Sequence, residues 1–179
     1  MRIIGGKYKG RRIVPSANLK ARPTTDFAKE GLFNILNNKI DFEEITILDL
    51  FSGTGSISYE FVSRGAAQAH LVEKDYNNFS VIKKNIKELE ITNIKPIHID
   101  VVAYLKTCKI KYDLIFADPP FNLSWIDELP DLIFNSNILR NGGLFILEHS
   151  KSKKFSDRPF FLETRSYGEV YFSFFQTSI

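Results

Sequence analysis

The ten residues from Tyr112 to Phe121, Tyr-Asp-Leu-Ile-Phe-Ala-Asp-Pro-Pro-Phe, join an apolar run of strand length to a carboxylate, two prolines and an aromatic ring. Neither proline can donate to a β-ladder, so the strand must end near Asp118. The residue before each proline is pushed towards extended geometry. Asp118, Pro119, Pro120 and Phe121 are therefore held together at the C-terminal edge of a sheet. Asp118 and the Pro119 carbonyl are acceptors suited to an exocyclic NH2 group, and Phe121 offers a face to a flat base. A rigid turn closing a core strand, with Phe121 buried, fits these four residues equally well, so the rest of the chain has to decide.

The elements that position this corner follow from periodicity. Thr25 and Asp26 offer helix caps after Pro23, and Ala28, Leu32, Ile35, Leu36 and Ile40 mark an amphipathic helix ending near Asn37-Asn38. A strand over 46–51 runs into Ser52-Gly53-Thr54-Gly55, and a helix over 56–64 stops at Gly65. Residues 69–73 form a short strand, and Phe79, Ile82, Ile86 and Leu89 mark the next helix. A strand over 95–99, a short helix over 102–107 and the strand 112–117 follow. Trp125, Leu129, Leu132 and Ile133 suggest another helix, and Asn141-Gly142-Gly143 turns into a fifth strand over 144–148. The stretches 160–167 and 170–175, with Gly168 between them, should pair antiparallel. Alternation of strand and helix through five units means a mostly parallel, seven-stranded α/β sheet with helices on both faces and an antiparallel last strand.

Ligands of such a sheet bind beyond the carboxyl ends of its strands. The first four strands end in Asp49 with the glycine loop, Glu73, Asp100 and Asp118, one acid at each strand end along a single edge. Gly53-x-Gly55 with an acid 18 residues later (Glu73) fits either a dinucleotide or S-adenosylmethionine, since both present a ribose diol. Ser58 occupies the position of the third glycine that brings a helix close to a pyrophosphate. An acid-rich pocket also suits a sulfonium cation better than a phosphate, with Asp49 in reach of the ammonium of its methionyl group. Taken singly, Glu73 reads as a solvated strand end and Asp100 as a helix N-cap. Taken together the acids read as a ligand site, and these details tilt it from a dinucleotide towards S-adenosylmethionine.

Charge and composition constrain the setting. The 179 residues suffice for one domain with a large core, at 44% apolar and 25% charged. A single cysteine excludes an internal disulfide, and no apolar run reaches membrane-spanning length, so a cytoplasmic, monomeric protein is expected. The net charge of +3 divides unevenly. Residues 1–22 carry Arg2, Lys7, Lys9, Arg11, Arg12, Lys20 and Arg22 without an acid, while the remainder has 17 cations against 21 acids. Apolar and aromatic residues interleave with these charges, and Gly5-Gly6 and Gly10 allow turns, so a basic β-hairpin arm over 1–22 should precede a main domain over 23–179. His70, His98 and His149 have no metal-ligand spacing, so no metal is expected, and His98 reads as a core residue.

With these residues in hand the sequence resembles the S-adenosylmethionine-dependent methyltransferases. Within them it resembles the bacterial family that methylates the N2 amine of guanine 966 in 16S rRNA. The resemblance is carried by Arg2-Ile-Ile-Gly-Gly-Lys-Tyr-Lys-Gly-Arg11, Arg22-Pro-Thr-Thr-Asp26, Leu48-Asp-Leu-Phe-Ser-Gly-Thr-Gly55, Ser63-Arg-Gly-Ala66, Asp118-Pro-Pro-Phe121 and Tyr167-Gly168. It implies a Rossmann-like fold. It also implies that Asp49, Ser52, Gly53 and Gly55 line the methionyl side of the cofactor, Glu73 the ribose, and Asp100 the adenine amine. Asp118, Pro119, Pro120 and Phe121 would hold the target base, and the arm (Arg2, Lys7, Lys9, Arg11, Arg12, Arg22) would hold phosphates of 16S rRNA or an assembling small subunit. Phe27 departs from the arginine usual at its position, and Ser56-Ile-Ser-Tyr59 replaces smaller residues in the first turn after the loop. Two rivals use the same residues: a DNA adenine amino-methyltransferase, which would need a separate target-recognition region, and a non-catalytic RNA-binding module, for which four intact acids are superfluous.

Overall fold

A computed structural model of the chain describes residues 1–15, 25–120 and 122–178. In chain order its elements are α1 (Asp26–Leu36), β1 (Thr46–Leu50), α2 (Ser56–Ser63), β2 (Gln68–Glu73), α3 (Tyr76–Leu89), β3 (Ile94–His98), α4 (Val101–Thr107) and β4 (Tyr112–Ala117). A single 3-10 turn then leads into α5 (Leu129–Asn135), followed by β5 (Leu139–His149), β6 (Phe161–Tyr167) and β7 (Val170–Gln176). The strands form one seven-stranded sheet in the order β3-β2-β1-β4-β5-β7-β6. The pairs β1–β2, β1–β4, β2–β3 and β4–β5 are parallel, and β7 runs antiparallel to both of its neighbours. The chain leaves β1 for β2 on one side and returns to β4 on the other, which opens a crevice at the carboxyl ends of β1 and β4.

Alternation along the strands splits the core in two. Ile47, Leu71, Leu114, Phe116, Ile146 and Phe172 pack with α1, α2 and α3, whereas Leu48, Leu50, Ile115, Ala117, Phe145 and Phe175 pack with α4 and α5. Helices thus cover both faces. α1 begins where the Thr25 hydroxyl accepts the Ala28 N–H at 3.1 Å, and it buries Ala28, Leu32, Phe33 and Leu36.

The structure corrects two details of the sequence reading. β5 starts at Leu139, so Asn141-Gly142-Gly143 lies inside the strand and is not a turn before it. A register shift between Tyr112 and Leu114 absorbs the irregularity, with Gly142 at φ 69°. His98 is exposed and not core, its ring stacked on Phe79 with centroids 5.1 Å apart.

Residues 1–15 are docked onto the sheet's α2–α3 face. Arg2 and Arg12 form an antiparallel bridge, the Ile3 N–H donates to the Arg11 carbonyl at 3.0 Å, and the Ile13 N–H donates to the Met1 carbonyl at 3.1 Å. Ile3 and Ile13 are buried in the first core. Asn85 of α3 takes the Val14 N–H and returns a hydrogen bond to its carbonyl, at 3.0 and 3.2 Å. Below the hairpin Lys29 and Glu60, both with 0% side-chain exposure, approach to 3.4 Å. Glu60 also accepts the Ile4 and Gly5 N–H groups and Arg64 Nε, while Lys29 Nζ donates to the Arg2 carbonyl at 2.7 Å and to Ser56 Oγ at 3.2 Å.

Candidate active site

The loop from β1 to α2 is built by backbone geometry. Phe51 adopts φ 59°, a left-handed conformation that costs a non-glycine residue of order 1 kcal/mol and must be held by its surroundings. Its ring lies 6.1 Å from that of Trp125. Ser52 is buried and structural. Its N–H donates to the Val72 carbonyl, and its hydroxyl reaches the carbonyls of Asp49 and Val72 at 2.8 and 3.0 Å. Gly55 caps α2 at φ 82°, and a Cβ there would stand 2.9 Å from Leu71 Cδ2. Gly53 also has positive φ, but a Cβ on it would meet nothing within 4 Å. One glycine is thus required by packing, and the other faces open space at the head of the crevice.

Four carboxylates share one face of the sheet beside this loop. Asp49, Glu73, Asp118 and Glu148 fall at the alternate positions that continue Ile47, Leu71, Phe116 and Ile146, so all four lie on the α2–α3 side of the sheet. Asp49 is 2% exposed and accepts the Ser58 hydroxyl at 2.7 Å. Burial, chiefly, and the charge of Glu73 push its pKa up to about 7, against the pull of Ser58. Glu73 accepts the Gly53 N–H at 2.8 Å through one oxygen and the Asp75 N–H at 2.7 Å through the other, and burial raises its pKa. Asp118 follows β4, with its N–H on the Leu50 carbonyl at 3.4 Å. Burial and the charges of Glu148 and Asp49 hold its carboxyl well above the usual range. Among the described residues no lysine or arginine forms an ion pair with Asp49, Glu73 or Asp118.

Asp100 differs from these acids. One of its oxygens caps α4 by accepting the Val102 and Ala103 N–H groups, and the other pairs with Lys74 at 3.1 Å. The Lys74 contact is the largest cause of its lowered pKa. Pro119 is buried and Pro120 exposed, and the Pro120 carbonyl accepts the Leu123 N–H at 2.8 Å. Phe121 and Arg22 lie outside the described residues. Lys7, Lys9 and Arg12 are exposed on the hairpin, while Arg11 donates to the Leu89 carbonyl at 2.7 Å and Arg2 stands 3.5 Å from Asp26.

Sequence reasoning missed Glu148, at 2% exposure and beside Asp118 across the β4–β5 ladder. A usable signal was present, because it too is an acid at the end of a buried strand. Ser58, read only as a missing glycine, proves to hold Asp49 in place.

An edge of buried and half-buried acids, of which Asp49, Glu73 and Asp118 form no ion pair among the described residues, lies beside a glycine-lined opening and has the donor and acceptor chemistry to hold a cationic cofactor. Comparisons with known proteins agree. Residues 1–176 match the family described as conserved hypothetical protein 95. The chain is 36% identical over 153 residues to ribosomal RNA small subunit methyltransferase D of Buchnera aphidicola subsp. Baizongia pistaciae, covering 85% of this chain and 77% of that protein. It belongs to the S-adenosylmethionine-dependent small-subunit rRNA methyltransferase D family. The protein of the same description from Escherichia coli K12 is 32% identical over 148 residues, 83% of this chain and 74% of that one. A solved structure of a putative methyltransferase from Escherichia coli superposes with a TM-score of 0.86 at 28% identity, covering 99% and 98% of the two chains.

Proposed function

We propose that this chain transfers a methyl group from S-adenosylmethionine to the exocyclic N2 amine of a guanine in 16S rRNA, of the guanine-966 type. The observation that carries this reading is the position of Asp118 and the two prolines on the same edge as Asp49, Glu73 and the open Gly53.

S-adenosylmethionine, when bound, supplies an electrophilic methyl group on a sulfonium and leaves as S-adenosylhomocysteine. Asp49, Gly53 and Gly55 hold its methionyl end on a loop that Ser52 ties to β2, Glu73 holds its ribose, and Asp100 its adenine side. A buried carboxylate is stabilised in its ionised form by an arriving ammonium or sulfonium. The target amine is conjugated with its ring and a weak nucleophile. Asp118 and the Pro119 carbonyl accept its two N–H bonds and leave the nitrogen lone pair directed at the methyl. The raised pKa of Asp118 makes it a competent acceptor of the proton that the product nitrogen must shed. The rest of the acceleration comes from fixed orientation in a pocket of preset dipoles.

A paired base cannot reach this corner, so the target is unpaired or flipped, with Phe121 stacking on it. Arg2, Lys7, Lys9, Arg11, Arg12 and Arg22 of the arm (1–22) grip the surrounding phosphates, and the domain over 23–179 does the chemistry as a monomer in the cytoplasm. Ribosomal RNA or an assembling small subunit is the partner. A labelled-methyl assay on under-modified subunits, naked 16S rRNA and DNA tests this reading, with label expected in N2-methylguanine of the RNA. Label in DNA adenine, or none anywhere, contradicts it. Among the described residues no helix is long and apolar enough to cross a membrane.

A further inference from the structure

Among the described residues, the exposed apolar side chains Ile110, Phe160 and Leu162 stand at the edge of the sheet where β4 and β6 begin, away from the crevice. Phe27, at 67% exposure, opens α1 on the arm's side of the molecule and has no part in the proposed transfer. We infer that Phe27 is a stacking platform for an unpaired base next to the target guanine, with the phosphate of that nucleotide on Arg2 and Arg12. This assignment rests on the 16S rRNA reading above.

Topology puts Phe27 on the rim. β7 runs antiparallel to β5 with His149 beside Tyr171, so the turn from β6 to β7 comes up at the carboxyl ends of β4 and β5. The first turn of α1 lies between that turn and the glycine loop. On one side the rings of Phe27 and Tyr167 meet edge to face, with centroids 5.8 Å apart. On the other, Lys29 Nζ donates to Ser56 Oγ at 3.2 Å, and the Thr54 hydroxyl donates to Met1 Sδ at 3.8 Å. α1 also packs on the face of the sheet that carries Asp49 and Asp118. The basic arm reaches the same place. Arg2 stands 3.5 Å from Asp26, the residue before Phe27, and Arg2, Arg12, Ile13 and Asp26 line a cleft of about 550 Å³.

A lone exposed phenylalanine is ordinary on a protein surface. What singles this one out is a cationic cleft beside it at the mouth of the crevice. Proteins hold unpaired nucleotides by that combination, cations for the phosphate and a ring for the base. The ring is also preset. Tyr167 behind it is fixed by its hydroxyl on the Gly31 carbonyl at 3.0 Å and by the buried ring of Phe172 at 6.1 Å. A base laid on Phe27 removes apolar surface from water and takes no hydrogen bond from the fold. Stacking tolerates any base, so Phe27 contributes affinity and register and leaves the choice of base to the crevice.

The test uses full-length protein and 16S rRNA in direct binding and labelled-methyl assays. Phe27→Ala should weaken RNA binding about tenfold and leave the slope of log K against log salt unchanged, because a stacked ring releases no counterions. Phe27→Tyr should bind within about twofold of wild type, whereas Phe27→Leu, apolar but without a ring face, should behave like Phe27→Ala. An abasic nucleotide placed at each position flanking the target in turn should find one at which the wild type loses about tenfold and Phe27→Ala loses nothing further. Melting temperature and S-adenosylhomocysteine affinity should be unchanged in every variant. Wild-type binding by Phe27→Ala or Phe27→Leu, a reduced salt slope, or a loss that persists on every abasic RNA overturns the platform while the methyltransferase reading stands. If the wild type binds RNA but methylates no guanine, the guanine reading falls, and the binding series still decides the platform.

Discussion

Two regions of this molecule bury carboxylates, and they treat them in opposite ways. Under the N-terminal hairpin Glu60 is met by Lys29 at 3.4 Å, by Arg64 at 3.4 Å, and by two backbone N–H groups. Every lone pair has a donor, and the charge is cancelled inside the fold. At the crevice Asp49 and Asp118 are set beside other acids, and among the described residues neither forms an ion pair. A buried ion that serves the fold is neutralised by the fold. One held without a counter-ion costs stability, and that cost is recovered when a cationic ligand binds. The hairpin is architecture, and the crevice is a receptor.

The contrast is broken most severely at the chemistry. Asp118→Ala should lower methyl transfer by about a thousandfold, with S-adenosylhomocysteine affinity within about threefold of wild type. Loss of both, measured by labelled-methyl assay and calorimetry, would make Asp118 structural and remove the distinction between the regions. Next comes the latch. Lys29→Met removes the fully buried cation beside Glu60 and should destabilise the protein by about 3–5 kcal/mol in denaturant titration, whereas Lys29→Met with Glu60→Leu should recover most of the loss.

Asp49 should behave in the reverse sense. Its folded pKa stands near 7, above its ordinary value of 3.8, so protonation favours the folded state and the apo protein loses stability as pH rises from 3.8 towards about 7. Affinity for S-adenosylmethionine should move the other way, rising with pH until Asp49 is ionised near 7 and then levelling off. Asp49→Asn should flatten both pH dependences by Asp49's share, leaving those of Glu73 and Asp118, weaken cofactor binding about tenfold, and leave apo stability at pH 8 unchanged or higher. Thermal melts and calorimetry across pH 5–8 read all three. The smallest effect is electrostatic. Replacing Lys7, Lys9 and Arg12 with alanine should reduce the slope of log K against log salt for RNA binding by about 2–3 without moving the melting temperature.

Much of this was legible in the chain before its structure. β4 runs from Tyr112 to Ala117, as its apolar stretch and the Pro-Pro stop imply, because proline acts locally and its effect survives any tertiary setting. Asp49 and Asp118 were found because glycines or prolines punctuate the chain soon after them, and Glu73 because it ends a short strand 18 residues beyond Gly55. Glu148 was placed at the end of the fifth strand but passed over, because only the acids ending the first four strands were weighed together. Lys29 was illegible for a different reason. It sits next to the apolar stripe of α1 and reads as a solvated residue, and only the fold brings Glu60 and the hairpin to it. Local punctuation reports where an element stops. Pairings set by tertiary packing, such as Lys29 with Glu60 or Asp118 with Glu148, leave no such mark.

Tyr167, at the turn between β6 and β7, donates its hydroxyl to the Gly31 carbonyl of α1 at 3.0 Å across 136 residues of sequence. Its ring lies where a side chain on residue 31 would be, since a Cβ there would fall 2.1 Å from it. On a translating ribosome this contact on α1 therefore waits until nearly the whole chain has been made. The nascent protein should gain full protease resistance only once this hairpin has emerged, although the crevice strands β1 to β4 are complete well before then.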